Sequence, residues 1–125
     1  LHPHALLMED LRREFAPLLS ESKQGVYIYL DNTHKICNER FSSLMGYASS
    51  REWEENEDAF AEDVRGENQG ALVSAYRRAM EDRTASSLAV NWRSRDGREV
   101  STNVIMAPMF YRGYALALHF IERLD

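Results

Sequence analysis

The chain has one cysteine, Cys37, among its 125 residues. That excludes an internal disulfide and a cysteine-rich zinc site, and it fits a reducing, cytoplasmic compartment. Long apolar runs are also missing: nothing approaches the ~20 residues needed to span a bilayer. The opening Leu1-His-Pro-His4 lacks the basic and apolar regions of a signal peptide, so no membrane contact is expected. Positive charge is in deficit, with 15 Lys and Arg against 20 Asp and Glu and a net charge of -5. Such a balance disfavours a phosphate backbone as a direct partner. There is no initiator methionine, repeat or low-complexity segment. The sequence therefore reads as an excised fragment of a larger protein, long enough for one domain with one modest core.

Leu7, Met8, Leu11, Phe15 and Leu18 recur at helical spacing among charged residues, which predicts an amphipathic helix from Ala5 to Ala16 that Pro17 ends or kinks. Gly25-Val-Tyr-Ile-Tyr-Leu-Asp31 then reads as a strand apolar on both faces. One face needs the core and the other a cover, and the preceding helix is the natural cover, from its own chain or from a second one. His34-Lys-Ile-Cys-Asn38 follows as a second strand, and Glu39 to Met45 as a short helix. The acidic stretch from Ser49 to Asp63 reads as helical turns anchored by Trp53 and Phe60. Leu72, Ala75, Tyr76, Ala79 and Met80 mark a long helix between Asp63 and Asp82, with Asp63 as its predicted N-cap. Leu88, Val90 and Trp92 alternate up to an Asp96-Gly97 turn, and Val100, Thr102, Val104 and Met106 return. Pro108 belongs at a strand end or on an unpaired edge. After a turn at Tyr111-Arg-Gly113, the residues Tyr114, Leu116, Leu118 and Phe120 mark the last strand. This order gives an α+β fold: a five-stranded antiparallel sheet with helices packed on one face and an extra N-terminal amphipathic helix.

Chemistry-bearing residues are scattered. Only His2 and His4 are close in sequence, and they read as a terminal tail rather than a ligand pair, so no metal is assigned. His34 reads as a turn residue and His119 as a structural histidine on the small-residue face of the last strand, with Ala115 and Ala117. Cys37 reads as a small core hydrophobe. The carboxylates Glu54-Glu55 and Glu81-Asp82 have no nucleophile or orienting partner beside them and read as solvated helix surface. Gly66 and Gly70 share one side of a helix, where a frayed start competes with close approach of a ligand or another helix. No catalytic set emerges.

Asn38, Phe41, Leu44, Gly46 and Tyr47 within Asn38-Glu-Arg-Phe-Ser-Ser-Leu-Met-Gly-Tyr47, together with Arg95-Asp-Gly-Arg98 and the final apolar run, resemble a PAS domain from Gly25 to Glu122. The family's His-Pro-x-Asp sequence before the long helix is reduced to the Asp of Phe60-Ala-Glu-Asp63, and Arg123-Leu124-Asp125 stands where Asp-Ile-Thr is common. The resemblance divides the chain into a cap, residues 1–22, and a PAS domain, residues 23–125. It implies a sensor and dimerisation module of a larger signalling protein, such as a sensor histidine kinase of a two-component system. Any catalysis would belong to output domains elsewhere in the parent chain. Heme-binding members take an axial His from the long helix, which here has none, and the light-sensing LOV branch carries its reactive Cys in an Asn-Cys-Arg-Phe-Leu motif absent here. Heme and LOV-type flavin are therefore disfavoured, and the cofactor is left unknown.

A ligand, if there is one, would lie between sheet and helices. The residues expected there are Ile28, Ile36, Phe41, Leu44, Phe60, Leu72, Tyr76, Trp92, Val104, Met106, Leu116 and Leu118, and the same set is simply the core if there is no ligand. Asn91, Thr102, Asn103 and Tyr76 are the candidate polar groups. A homodimer is expected through Leu7, Leu11, Phe15, Leu18, Tyr27 and Tyr29. The alternative function is a ligand-free interaction module that signals through its sheet and N-terminal helix.

Overall fold

The computed structural model describes residues 3–124. Five antiparallel strands, β1 (Gly25–Asp31), β2 (His34–Cys37), β3 (Ser86–Arg93), β4 (Glu99–Tyr111) and β5 (Tyr114–Arg123), lie in the order β2-β1-β5-β4-β3. The inner face carries α3 (Glu39–Leu44), α4 (Ser50–Glu55), α5 (Ala59–Asp63) and α6 (Gly66–Glu81). The outer face of β1, β2 and β5 is covered by α1 (Pro3–Glu14), with α2 (Ala16–Glu21) following it. The architecture is the α+β arrangement that the element order predicts.

Local chemistry sets the boundaries. The Asn38 side chain accepts from Phe41 N at 3.0 Å as the N-cap of α3, accepts from Val26 N at 3.0 Å, and donates to Gln24 O at 3.0 Å. One buried amide thus joins β1 to the start of α3. The β4–β5 connection puts Arg112 and Gly113 at φ of 50° and 83°, the pair of left-handed positions that a tight hairpin needs. Gly46 sits at φ 80°, and a Cβ there would lie 3.1 Å from Arg95 N. Only glycine lets the end of α3 approach the β3–β4 hairpin so closely, and Arg95 N donates to Met45 O at 2.8 Å.

Pro17 interrupts the first helix as expected: α1 stops at Glu14, and Pro17 stands in the first turn of α2, where its missing N–H costs nothing. One boundary expectation changes. Asp63 is not the N-cap of α6, whose N-cap is Arg65; it closes α5 and turns inward. Neither Gly66 nor Gly70 brings the helix against anything, since a Cβ at either would have open space. Pro108 pairs with Ala117 of β5 beyond the end of β3, so its other edge is open as a proline requires.

The largest correction concerns which face of the sheet each strand residue occupies. Ile28, Ile36 and Leu116 are fully buried with Leu7, Met8 and Leu11 under α1, and Leu118 packs beside them. They lie on the face away from α3–α6. Tyr27, Tyr29, Cys37 and Ala117 face the inner helices instead, and His119 joins them by stacking on Tyr27. The cover comes from the chain itself: Leu7 and Leu11 are spent in this contact, while Phe15 and Leu18 are only half-buried. Burying each such Leu contributes on the order of 1.5–3 kcal/mol. Polar ties continue along α1, from Asp10 to Arg112, Arg12 to Glu54 at 2.6 Å, and Glu14 to Tyr111.

Candidate ligand-binding site

Between α6 and the inner sheet face lies a cavity of about 340 Å³. Its walls are aromatic: Tyr27, Tyr29, Phe60 and Tyr76, joined by Leu72, Met106 and His119. At the mouth stand Leu30, Asp31, Asn32 and Val73. The volume is at the small end of the ~300–1,000 Å³ of ordinary ligand pockets. A wider groove of about 1330 Å³ runs between α1–α2 and α3, but Arg12, Lys23, Glu39, Arg40, Glu122 and Arg123 line it. The aromatic cavity is the better ligand site, because it offers apolar walls with few and fixed polar groups.

Apart from the Asp31 carboxylate at the mouth, the polar groups of the cavity are neutral and oriented. His119 stacks on Tyr27 with 3.8 Å between ring centroids and 15° between planes, and its Nδ1 donates to Ala117 O at 3.0 Å. Burial pushes the His119 pKa down to about 3, so the imidazole is uncharged at neutral pH. Burial, helped by Tyr76 and Asp31 nearby, raises the Tyr29 hydroxyl to about 12. That hydroxyl donates to Asn32 Oδ1 at 2.7 Å, and Tyr76 donates to Leu30 O at 3.4 Å. Tyr29 and Tyr76 meet edge to face at 5.7 Å. These groups can offer hydrogen bonds and ring faces to a small neutral molecule, and they contain no nucleophile poised by a base.

A polar cluster braces the far side of the helical layer. The Tyr47 hydroxyl donates to the buried Asp63 carboxylate and accepts from Asn56 Nδ2 at 3.0 Å. Arg95 donates to Glu62 at 2.7 Å and to Asp63 at 3.3 Å while lying over the Tyr47 ring. Burial raises the Asp63 pKa, and the hydrogen bonds from Tyr47 and Arg95 oppose that rise. The cluster joins α3, α5 and the β3–β4 hairpin, which explains the use of Tyr47 and Arg95 better than any contact with a ligand does.

No protein-family model and no curated protein matches the chain by sequence. Solved structures do. A PAS domain of an HTR-like protein from Haloarcula marismortui superposes with a TM-score of 0.65 at 18% identity, covering 96% of this chain and 97% of that one. A PAS domain from a two-component sensor histidine kinase gives a TM-score of 0.67 at 13% identity, covering 93% and 99%. The chain has the PAS fold. VqmA bound to DPO is similar at a TM-score of 0.68 and 10% identity, with 90% of this chain and 57% of that one covered.

In this PAS fold, Phe60, Leu72, Tyr76 and Met106 line the cavity. Phe41, Trp92 and Val104 belong to the solid core, where Phe41 meets Trp53 and Trp92 edge to face. Leu44 is half-buried and borders the wider groove. Ile28, Ile36, Leu116 and Leu118 are on the opposite face, as described. The candidate polar groups reduce to Tyr76: Thr102 is spent on Trp92 Nε1 at 2.7 Å and Val90 O at 2.9 Å, Asn103 pairs with Ser87, and Asn91 does not reach the cavity. Sequence reasoning missed Tyr27, Tyr29 and His119 as cavity residues. The available signal was volume: Tyr29 sits opposite Ala117 and Tyr27 opposite Cys37, so small neighbours make room for large rings on that face. Cys37 is buried on the inner face, its thiol raised to about 12, mainly by burial. His2 lies outside the described residues.

Proposed function

We propose that this PAS domain is the small-molecule sensor module of a larger cytoplasmic signalling protein, such as a sensor histidine kinase, and that residues 1–22 act as its cap. The observation that carries this reading is the aromatic cavity of about 340 Å³ with the neutral His119 at its wall. A compact, neutral, planar ligand suits it, because ring faces favour stacking while burial makes an uncompensated charge costly. Catalysis belongs to output domains of the parent protein. Native mass spectrometry of protein purified without denaturation tests the reading. A retained mass that Leu72→Trp abolishes is expected, and an identical ligand load in both proteins would overturn it.

A homodimer through the outer sheet face is the second part of the proposal. The favouring observation is Ile105, 42% exposed on a strand position opposite Phe120 and beyond the cover of α1. A face of this kind suits a second copy, since two such patches bury each other. Loss of a dimer in Ile105→Glu is expected in the same spectra, and a monomer in the unmodified protein at high concentration would refute it.

A further inference from the structure

His4, Asp31 and His34 converge where the first turn of α1 passes over the β1–β2 turn. One donor atom from each lies within 4.8 Å of the others, and all three residues are half-buried. We propose that they form a binding site for a borderline divalent transition-metal ion of the zinc class, which clamps α1 to the sheet.

The donor set selects the ion. Two imidazoles and one carboxylate suit zinc, nickel, cobalt or copper, whereas magnesium and calcium require a shell of oxygens. The site is also supported by its surroundings. His34 Nδ1 lies 2.8 Å from Asp31 Oδ1, so two of the three donors already stand close enough to share one ion. Thr33 fixes that carboxylate in turn, through its N at 3.0 Å and its Oγ1 at 2.9 Å. The His4 ring stands edge-on to both His34, at 5.2 Å, and Tyr114, at 5.3 Å. Its position is set by packing, because Leu7, Met8 and Leu11 of the same helix are buried against β1, β2 and β5. Tetrahedral zinc ligands stand about 3.3 Å apart, given bonds of ~2.0–2.1 Å. A rotamer-scale movement of His4 in the first helical turn closes the set around the ion, with water completing the coordination.

The chain outside this cluster has few competing ligands: Cys37 and His119 are buried on the inner face, and His2 is the remaining histidine. The test is calorimetric titration of the metal-stripped chain with zinc chloride, paired with thermal melts. One equivalent is expected to bind and to raise the melting temperature. His4→Ala, His34→Ala and Asp31→Asn should each weaken binding by about tenfold or more, with circular dichroism unchanged, while His2→Ala and His119→Phe leave it intact. His4→Ala lies at the end of the helix, so it remains informative if Asp31→Asn disturbs the turn. Magnesium chloride should neither bind nor compete. If the unmodified chain takes up no zinc, the site is refuted. It is equally refuted if His2→Ala and His4→Ala abolish uptake while His34→Ala and Asp31→Asn bind normally, because the metal then sits on the terminal tail alone.

Discussion

The imidazole of His119 lies flat against the phenol of Tyr27, 3.8 Å between centroids, at the point where β1 and β5 pair in the floor of the cavity. The two residues are direct cross-strand partners, so one backbone ladder fixes their stacking and the shape of the cavity wall together.

The stack implies a pH dependence of stability. Folding lowers the His119 pKa from 6.5 to about 3, through burial. The unfolded chain therefore takes up the proton first as pH falls, and stability is lost progressively between pH 6.5 and about 3, at up to about 1.4 kcal/mol per pH unit. Above that window the group contributes no slope. Urea unfolding at pH 7 and pH 5 should show the unmodified chain losing about 2 kcal/mol more than His119→Phe. Equal losses in both proteins would place the sensitivity elsewhere.

A second expectation concerns Asp63, which is buried and held by Tyr47 and Arg95. Tyr47→Phe removes one of its donors without changing the packing volume. The cost should be about 1–3 kcal/mol, since a buried acceptor is left short of a partner. Denaturant midpoints at constant slope measure it, and a change below 0.5 kcal/mol would show that water replaces the hydroxyl (~0.5 being the ordinary surface scatter).

Leu11 separates the two origins of the outer cover. It is fully buried within its own chain, so Leu11→Ala should lower stability by about 2–5 kcal/mol and leave the oligomeric state unchanged. A stability unaffected by the change, with a dimer lost in sedimentation, would assign the helix to a second copy.

The order of elements was readable because it rests on local signals: alternation in β3 to β5, the Asp96-Gly97 turn, and the small-residue and apolar spacing of α6. The facing of β1 was not. Val26, Ile28 and Leu30 alternate with Tyr27 and Tyr29, and period two separates these sets without saying which layer each one meets. Both faces are covered here, so hydrophobicity does not decide. The aliphatic set went to α1 and the aromatic set to the cavity because Cys37, Ala117 and His119 leave room beside the tyrosines. Asp63 shows the other limit. Its position before a long helix signals a cap, yet Tyr47 and Arg95, distant in sequence, hold it inside.

The central claim is that the inner cavity admits a small planar molecule, and methyl and amide NMR during titration with neutral heteroaromatic compounds such as indole tests it most directly. Binding should shift the signals of Leu72, Met106, Tyr76 and His119 together, and Leu72→Trp should abolish those shifts in a folded protein. Shifts confined to residues outside the cavity, or the same response in Leu72→Trp, would contradict the claim and leave a filled-core interaction module.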